Sequence, residues 1–464
     1  MTIIKEYLRD LYSLMPDIVQ KGIDFVYGKI PNDVKFGNEY SKMISLLNVS
    51  QKWSREEKDD YVLSHLKHLF IHAYETTPYY RRNFKKYDFD PYRFDSIKSL
   101  EMIPTIDKKT VQDNINDMLS TSFPKSKRIK CTTGGTTGNQ MIFYLQKNFS
   151  IAREKAYFDY LFRKMGYVNG KSTMAVLRND ILPKECLWRY DYRRNSLILN
   201  PYCLTDENMH LIVQKLNSEK IEYFHVYPSS IVLLCDYIRR SGDSLDYRPK
   251  AVFASSENVY PGQKELVESI LDCKFLIHYG HSEMGGVAGW CCKYYHYHIE
   301  PIYGYIELLN QNGLVISDSG IRGEIVTTGF NNYVLPLIRY KTADFARYEN
   351  SVNDCDNRTL SSIEGRWMQE HLIGEKGNKV SMTALNMHSE IFDNVVKYQF
   401  YQDTVGKCIL NIVKGDGYTL KDESIIYSAL NAKLGNGFQL KIKYVSNIEV
   451  SKSGKFRYII QKII

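Results

Sequence analysis

Apolar side chains at Tyr61, Leu66, Leu69, Phe70 and Ala73 recur at helical spacing behind Ser54-Arg55-Glu56-Glu57, a string that resembles a capping box. Thr77-Pro78 ends that helix, and the first 120 residues read as mainly helical. A helix over 151–165 then leads into short apolar runs at 173–177, 223–226, 250–254 and 274–279, which read as strands. Helices are predicted between them at 229–240 and 261–271. Strands alternating with helices predict an α/β domain. From Tyr297 to Arg347 the pattern changes to consecutive strands, at 302–309, 323–328 and 335–340, separated by Asn-Gly and Ser-Gly turns. A fresh set of elements follows Gly365-Arg366: a helix near 384–392, strands near 397–401 and 407–413, a helix at 423–434 and a strand at 439–444. The fold class expected is α/β, with a large N-terminal domain (1–365) of α/β layers plus antiparallel strands. A small α+β domain (366–464) completes it, the boundary falling between Ile363 and Met368.

At 464 residues the chain is long for a single core, which agrees with that division. Hydrophobic residues make up 44% and charged residues 25%, ordinary globular values that argue against disorder. The net charge of +8, from 61 basic and 53 acidic residues, is spread along the chain without a basic tail, so nucleic acid is not an expected partner. Lys5, Glu6, Arg9 and Asp10 interrupt the apolar residues of the N-terminus, unlike a secretory signal, and no run approaches the roughly 20 apolar residues of a membrane span. Nine scattered cysteines lack the spacing of a disulfide framework. A cytoplasmic location with no membrane partner is expected.

The densest chemical signal is Cys131-Thr132-Thr133-Gly134-Gly135-Thr136-Thr137-Gly138-Asn139-Gln140. Its glycines let backbone N–H groups turn inward and its threonines add compact hydroxyl donors, a composition suited to phosphate chains. A Walker loop requires Gly-Lys followed by Ser or Thr, whereas Gly138 is followed by Asn139, so the P-loop reading fails. A flexible linker or hairpin turn is the plain alternative.

Four downstream motifs stand in register with that loop: Tyr279-Gly280-His281-Ser282-Glu283, Tyr340-Lys341-Thr342-Ala343-Asp344, Glu364-Gly365-Arg366 and Ser453-Gly454-Lys455. Together they resemble the adenylate-forming enzymes, and the resemblance spans nearly the whole chain. Thr77-Pro78-Tyr79-Tyr80-Arg81, Ile103-Pro104-Thr105-Ile106-Asp107-Lys108 and Tyr227-Pro228-Ser229 resemble the phenylacetate-CoA ligase and CapK-type capsular polysaccharide branch.

The resemblance implies an ATP-dependent, AMP-forming carboxylate ligase whose mobile C-terminal domain serves two half-reactions, with a small carboxylic acid and an acyl acceptor as partners. CoA, an amine and a carrier-protein thiol are all open as acceptors, and polysaccharide or secondary-metabolite biosynthesis as the setting. It implies that Thr132, Thr133, Gly134, Gly135, Thr136, Thr137 and Gly138 hold the β- and γ-phosphates. Asn139 stands where many relatives carry lysine, a charge that Arg128 or Lys130 could replace. Tyr279 and Gly280 would meet adenine, Ser282 the α-phosphate, and Glu283 a Mg²⁺ ion. Ser255, Ser256 and Glu257 would line the adenine, Asp344 accept the ribose hydroxyls, and Arg366 reach ribose or phosphate. Lys455 would bridge the substrate carboxylate and the α-phosphate. Val226, Tyr227, His281 and Met284 are candidates for the acid pocket.

Three departures bear on these roles: Asn139, Ala343 where the family reads glycine, and Trp367-Met368 at the hinge. They motivate a rival reading, a non-catalytic nucleotide-binding protein of the same fold. A self-adenylating nucleic-acid ligase would need a Lys-x-Asp-Gly signature, which the chain lacks. Cys273, His278, His281, Cys291, Cys292, His296, His298 and Cys355 match no standard zinc spacing, and zinc is not expected.

Overall fold

The computed structural model describes residues 12, 15–133 and 141–463, apart from 179, 181, 184–185, 202, 258, 260–261, 291–295, 350–357, 366–370, 386–389, 393, 416 and 449–458. The N-terminal part is helical as the periodicity predicts. Ser54 Oγ accepts the Glu57 N–H at 3.2 Å while the Glu57 carboxylate accepts the Ser54 N–H at 2.7 Å, closing a capping box on helix Arg55–Thr76. Thr77 then caps the next helix, Pro78–Lys86, in which Pro78 needs no N–H partner.

Residues 335–340, read from sequence as a strand, are irregular until Tyr340, where strand Tyr340–Tyr348 begins. Pro336 has no N–H to give a ladder, and Leu335 and Ile338 are fully buried beneath the N-terminal helices. Tyr80 serves these buried peptide groups instead, donating to Pro336 O at 2.9 Å and accepting the Ile338 N–H at 3.1 Å. The apolar run is core, without being a strand.

A 13-stranded sheet dominates the described residues. Its parallel portion runs Ser196–Leu199, Met174–Leu177, Tyr223–Val226, Ala251–Ser255 and Lys274–Gly280, and antiparallel strands from Val287–Trp290 onward continue it. Register sets which side chains share a face: Val176, His225, Phe253 and Leu276 form one row, and Leu177, Val226, Ala254 and Ile277 form the next, on the opposite face. Helix Ser150–Arg163 covers the first face, with Phe162 stacked on Phe253 at 4.0 Å and 14°. Parallel strands end together, so their carboxyl ends open on one crevice, the usual ligand position in such sheets.

The C-terminal part builds a four-stranded sheet from Gln439–Tyr444, Lys407–Lys414, Val395–Thr404 and Ile459–Gln461, backed by helix Leu420–Leu434. It touches the large sheet's loops through Ser381 Oγ, which donates to Glu257 Oε1 at 2.7 Å, and through a Lys376–Glu207 pair at 3.3 Å. No helix among the described residues is long and apolar enough to cross a membrane.

Candidate functional site

A cavity of about 840 Å³ opens at the carboxyl ends of the parallel strands. Thr133, Ser255, Ser256, Glu257, Tyr279, Gly280, His281, Ser282, Glu283, Asp344 and Tyr227, each singled out from sequence, line it. These residues come from separate segments of the chain, brought to one opening by the strand order.

Glu283 is the most tightly held of them. Its carboxylate is 5% exposed and accepts from Tyr340 Oη at 2.9 Å, with His281 Nδ1 at 3.2 Å. The far nitrogen of His281 lies 3.5 Å from Thr327 Oγ1. His281 thus works as a brace for Glu283 as well as lining the cavity. Gly285 allows this turn to pack: a Cβ there would stand 2.3 Å from Thr327 Oγ1. A carboxylate lining the cavity is the hard oxygen donor that Mg²⁺ takes alongside substrate phosphates, so the chemistry of Glu283 fits that ion.

Asp344 owes its position to a bulge. Strand Tyr340–Tyr348 pairs Lys341 with Val326 and Phe345 with Glu324, so three residues face the single Ile325. Within the bulge Ala343 adopts φ 59°, and Thr342 Oγ1 donates to Ile325 O at 2.8 Å. The carboxylate of Asp344 is thereby aimed at the cavity, where it accepts from Tyr279 Oη at 2.9 Å. One pair joins the two groups that the motifs assign to adenine and ribose.

The glycine loop is carried by a hairpin. Arg128–Thr132 pairs with Ile142–Gln146, and beyond it Thr133 N–H donates to Met141 O at 2.9 Å while Met141 N–H donates to Thr133 Oγ1 at 3.1 Å. Thr133 pins the loop's base in this way. Thr132 belongs to the strand and does not line the cavity. Gly134, Gly135, Thr136, Thr137, Gly138 and Asn139 lie outside the described residues, as do Arg366 and Lys455. Arg128 donates to Phe123 O at 2.9 Å and Ser120 O at 3.2 Å and does not line the cavity.

Two acid-pocket candidates do not line the cavity. Val226 is fully buried in the row of Leu177 and Ala254, and none of these three lines the cavity. Met284 turns at φ 57° and packs into the cores beneath the N-terminal helices. Glu257 also differs from expectation: its side chain reaches the N-terminus of helix Pro228–Ser241, accepting the Ser229 N–H at 2.9 Å as well as the Ser381 hydroxyl. Burial still raises its pKa.

Arg178, His225 and Glu154 were not found from sequence, yet all line the cavity. Arg178 Nη1 lies 2.7 Å from His225 Nε2 and also donates to Ser255 Oγ, and Nη2 donates to Ser256 Oγ at 3.0 Å. Its guanidinium stands 5.3 Å from the Tyr227 ring, a cation–π distance. Burial, together with Arg178, holds His278 down to about 3 and His225 well below the usual histidine range, so both rings are neutral near pH 7. The signal available was positional: Arg178 directly follows a parallel strand, where ligands are met. Among the described residues no cluster of His, Cys, Asp and Glu could hold a metal, and Cys291, Cys292 and Cys355 lie outside them.

Comparison with known proteins follows the same lines. A family model described as the CapK C-terminal domain matches residues 372–462. The chain is 24% identical over 475 residues to protein CapK of Staphylococcus aureus, covering 98% of this chain and 100% of that protein. It is 24% identical over 323 residues to the phenylacetate-coenzyme A ligase of Pseudomonas putida, covering 65% of this chain and 69% of that one. Among solved structures, 2-hydroxyisobutyryl-CoA ligase in complex with 2-HIB-AMP and CoA in the thioesterification state superposes with a TM-score of 0.58 at 18% identity, over 89% of this chain and 91% of that chain. These structural likenesses show the fold.

Proposed function

We propose that this chain, similar to protein CapK over nearly its whole length and to phenylacetate-coenzyme A ligases over about two thirds of it, is an adenylate-forming enzyme: an ATP-dependent, AMP-forming carboxylate ligase. In the first half-reaction a carboxylate oxygen attacks the α-phosphorus of ATP and the bond to the β-phosphate breaks, giving an acyl-adenylate and pyrophosphate. A nucleophile then attacks the acyl carbon and AMP leaves. CoA is the acceptor we favour, since relatives named as CoA ligases match most of the chain.

The observation that carries this reading is the convergence of Thr133, Tyr279, Glu283 and Asp344 on one cavity. In it, Asp344 would take the ribose hydroxyls with lone pairs beyond the one that Tyr279 uses, and Tyr279 would be held flat for adenine. Glu283 would carry Mg²⁺, which supplies charge neutralisation for the phosphates when bound. The division near residue 365 would let the small domain present Lys455 for adenylation and withdraw it for acyl transfer.

The test is hydroxylamine-trapped adenylation with pooled aromatic, aliphatic and amino acids, followed by CoA as acceptor. Acid-dependent pyrophosphate release is expected, and Lys455→Ala should cut it on the order of 10² or more, as loss of a transition-state charge contact does. ATP binding with no acid-dependent turnover across the panel would instead favour the non-catalytic reading.

A further inference from the structure

One side of the cavity is polar in a way that an apolar acyl chain does not require. Helix Ser150–Arg163 contributes an aromatic wall of Phe158 and Phe162, against which stand Arg178, His225 and His278 from the sheet. Phe158 and His278 are 4.7 Å apart. A guanidinium carries five N–H donors in a fixed fork. Those of Arg178 meet only neutral acceptors among the described residues: His225, Ser255 and Ser256. Among the described residues its Nε–H has no such partner and no carboxylate lies within ion-pair distance.

Two carboxylates, Glu257 and Asp180, act on Arg178 from beyond ion-pair distance, and Glu257 is already engaged by Ser229 and Ser381. Other cations share the field. Lys155 and Arg194 both act on His225 from a distance, but each has its own acid, Asp159 at 2.5 Å and Asp191 at 3.5 Å. Arg178 and Lys35 are the cavity cations with no ion pair among the described residues; Lys35 donates to Gly28 O at 3.2 Å, whereas the half-buried fork of Arg178 stands at the carboxyl ends of the strands, where it offers an anion charge-assisted hydrogen bonds.

Resting on the ligase reading above, we propose that the acid this protein activates carries a second anionic group, paired with Arg178 through the open side of its fork. The substrate class is therefore a dicarboxylic acid, or an acid with a comparably charged tail. The reacting carboxylate faces the nucleotide while the distal anion lies against Arg178, and Ser255 and Ser256, which the resemblance gives to adenine, are thereby assigned to the acid instead. The neutral histidines supply hydrogen-bonding surface without competing for the anion.

The test uses the full chain and matched acids that differ only in the distal group: succinate against butyrate, glutarate against pentanoate, adipate against hexanoate, terephthalate against benzoate. Phosphoglycerate against glycerate separates a phosphate tail from a carboxylate tail. The readout is kcat/KM for acid-dependent pyrophosphate release. The dianionic member of at least one pair is expected to lead by about 10- to 100-fold, the range of one charge-assisted contact. Arg178→Met should erase that lead, and Arg178→Lys should restore part of it. Equal or better turnover of the monoanionic members overturns this inference and leaves the ligase reading standing. So does an Arg178→Met variant that raises KM for ATP with the acid preference unchanged. Turnover of no acid overturns both.

Discussion

Tyr340 donates to Glu283 across 2.9 Å in a setting where both side chains are almost wholly buried, at 2% and 5% exposure. A hydrogen bond to a charged group contributes about 1.5–3 kcal/mol. Tyr340→Phe should lower unfolding free energy within that range and raise KM for MgATP, because the carboxylate is then steadied by His281 with one fewer donor. Glu283→Gln should weaken MgATP as well. The two changes combined should cost less than their sum, which urea unfolding and ATP titration of the four proteins in the cycle would measure.

Ala343 occupies left-handed backbone at φ 59° within the bulge that aims Asp344. An L-residue with a Cβ costs roughly 1–2 kcal/mol there, and glycine returns part of that as extra freedom in the unfolded chain. Ala343→Gly should therefore stabilise the fold by up to about 1 kcal/mol and leave KM for ATP unchanged or lower. A fall in the urea midpoint would contradict this account of the strain.

The elements most legible in the sequence were those whose periodicity and end signals agree. Strand Tyr223–Val226 and strand Gln439–Tyr444 match their predicted bounds, and the Ser54 capping box is present with both of its bonds. Residues 335–340 misled because an apolar run can fill a core without joining a ladder, and only Tyr80, over 250 residues away in the chain, shows how its peptide groups are satisfied. At the site, motif positions located Glu283, Asp344 and Tyr279, whose neighbours in space come from other motifs. Val226 and Tyr227 are adjacent in sequence and could not be told apart there, yet of the two Tyr227 alone lines the cavity. Arg178 belongs to no motif, and its bonds to His225, Ser255 and Ser256 join three strand ends that are far apart in sequence.

Glu154 lines the cavity with Tyr303 Oη donating to it at 3.3 Å, and burial raises its pKa to about 7. Between its unfolded value near 4.5 and about 7, the folded state holds a proton that the unfolded state has released. Stability must then fall as pH rises through that window, by up to about 1.4 kcal/mol per pH unit from this group. Glu154→Gln should flatten the slope between pH 5 and about 7 in urea titrations at several pH values. An unchanged slope would mean that Glu154 is ionised in the folded protein throughout the window.

Arg339 forms a two-pronged pair with Glu307, at 2.8 and 2.9 Å, and also donates to Leu100 O and Ile103 O, with both charged side chains about 4% exposed or less. This cluster ties the helical N-terminal part to the antiparallel strands just before Tyr340, so it fixes where the Asp344 strand begins. Replacing one member strands the other charge in the interior, which costs about 3–5 kcal/mol. Glu307→Ala should lose stability on that scale, whereas Glu307→Gln, which still accepts one bond, should lose less. The double change Glu307→Leu with Arg339→Met should recover much of the loss, since it removes the buried charge entirely, although the carbonyls of Leu100 and Ile103 then go without their donor. The ordering of the three proteins in urea unfolding separates a charge left unpaired from a contact merely lost. If Glu307→Ala and the double variant unfold at the same midpoint, packing of the pair rather than its charge is what holds the strand in place.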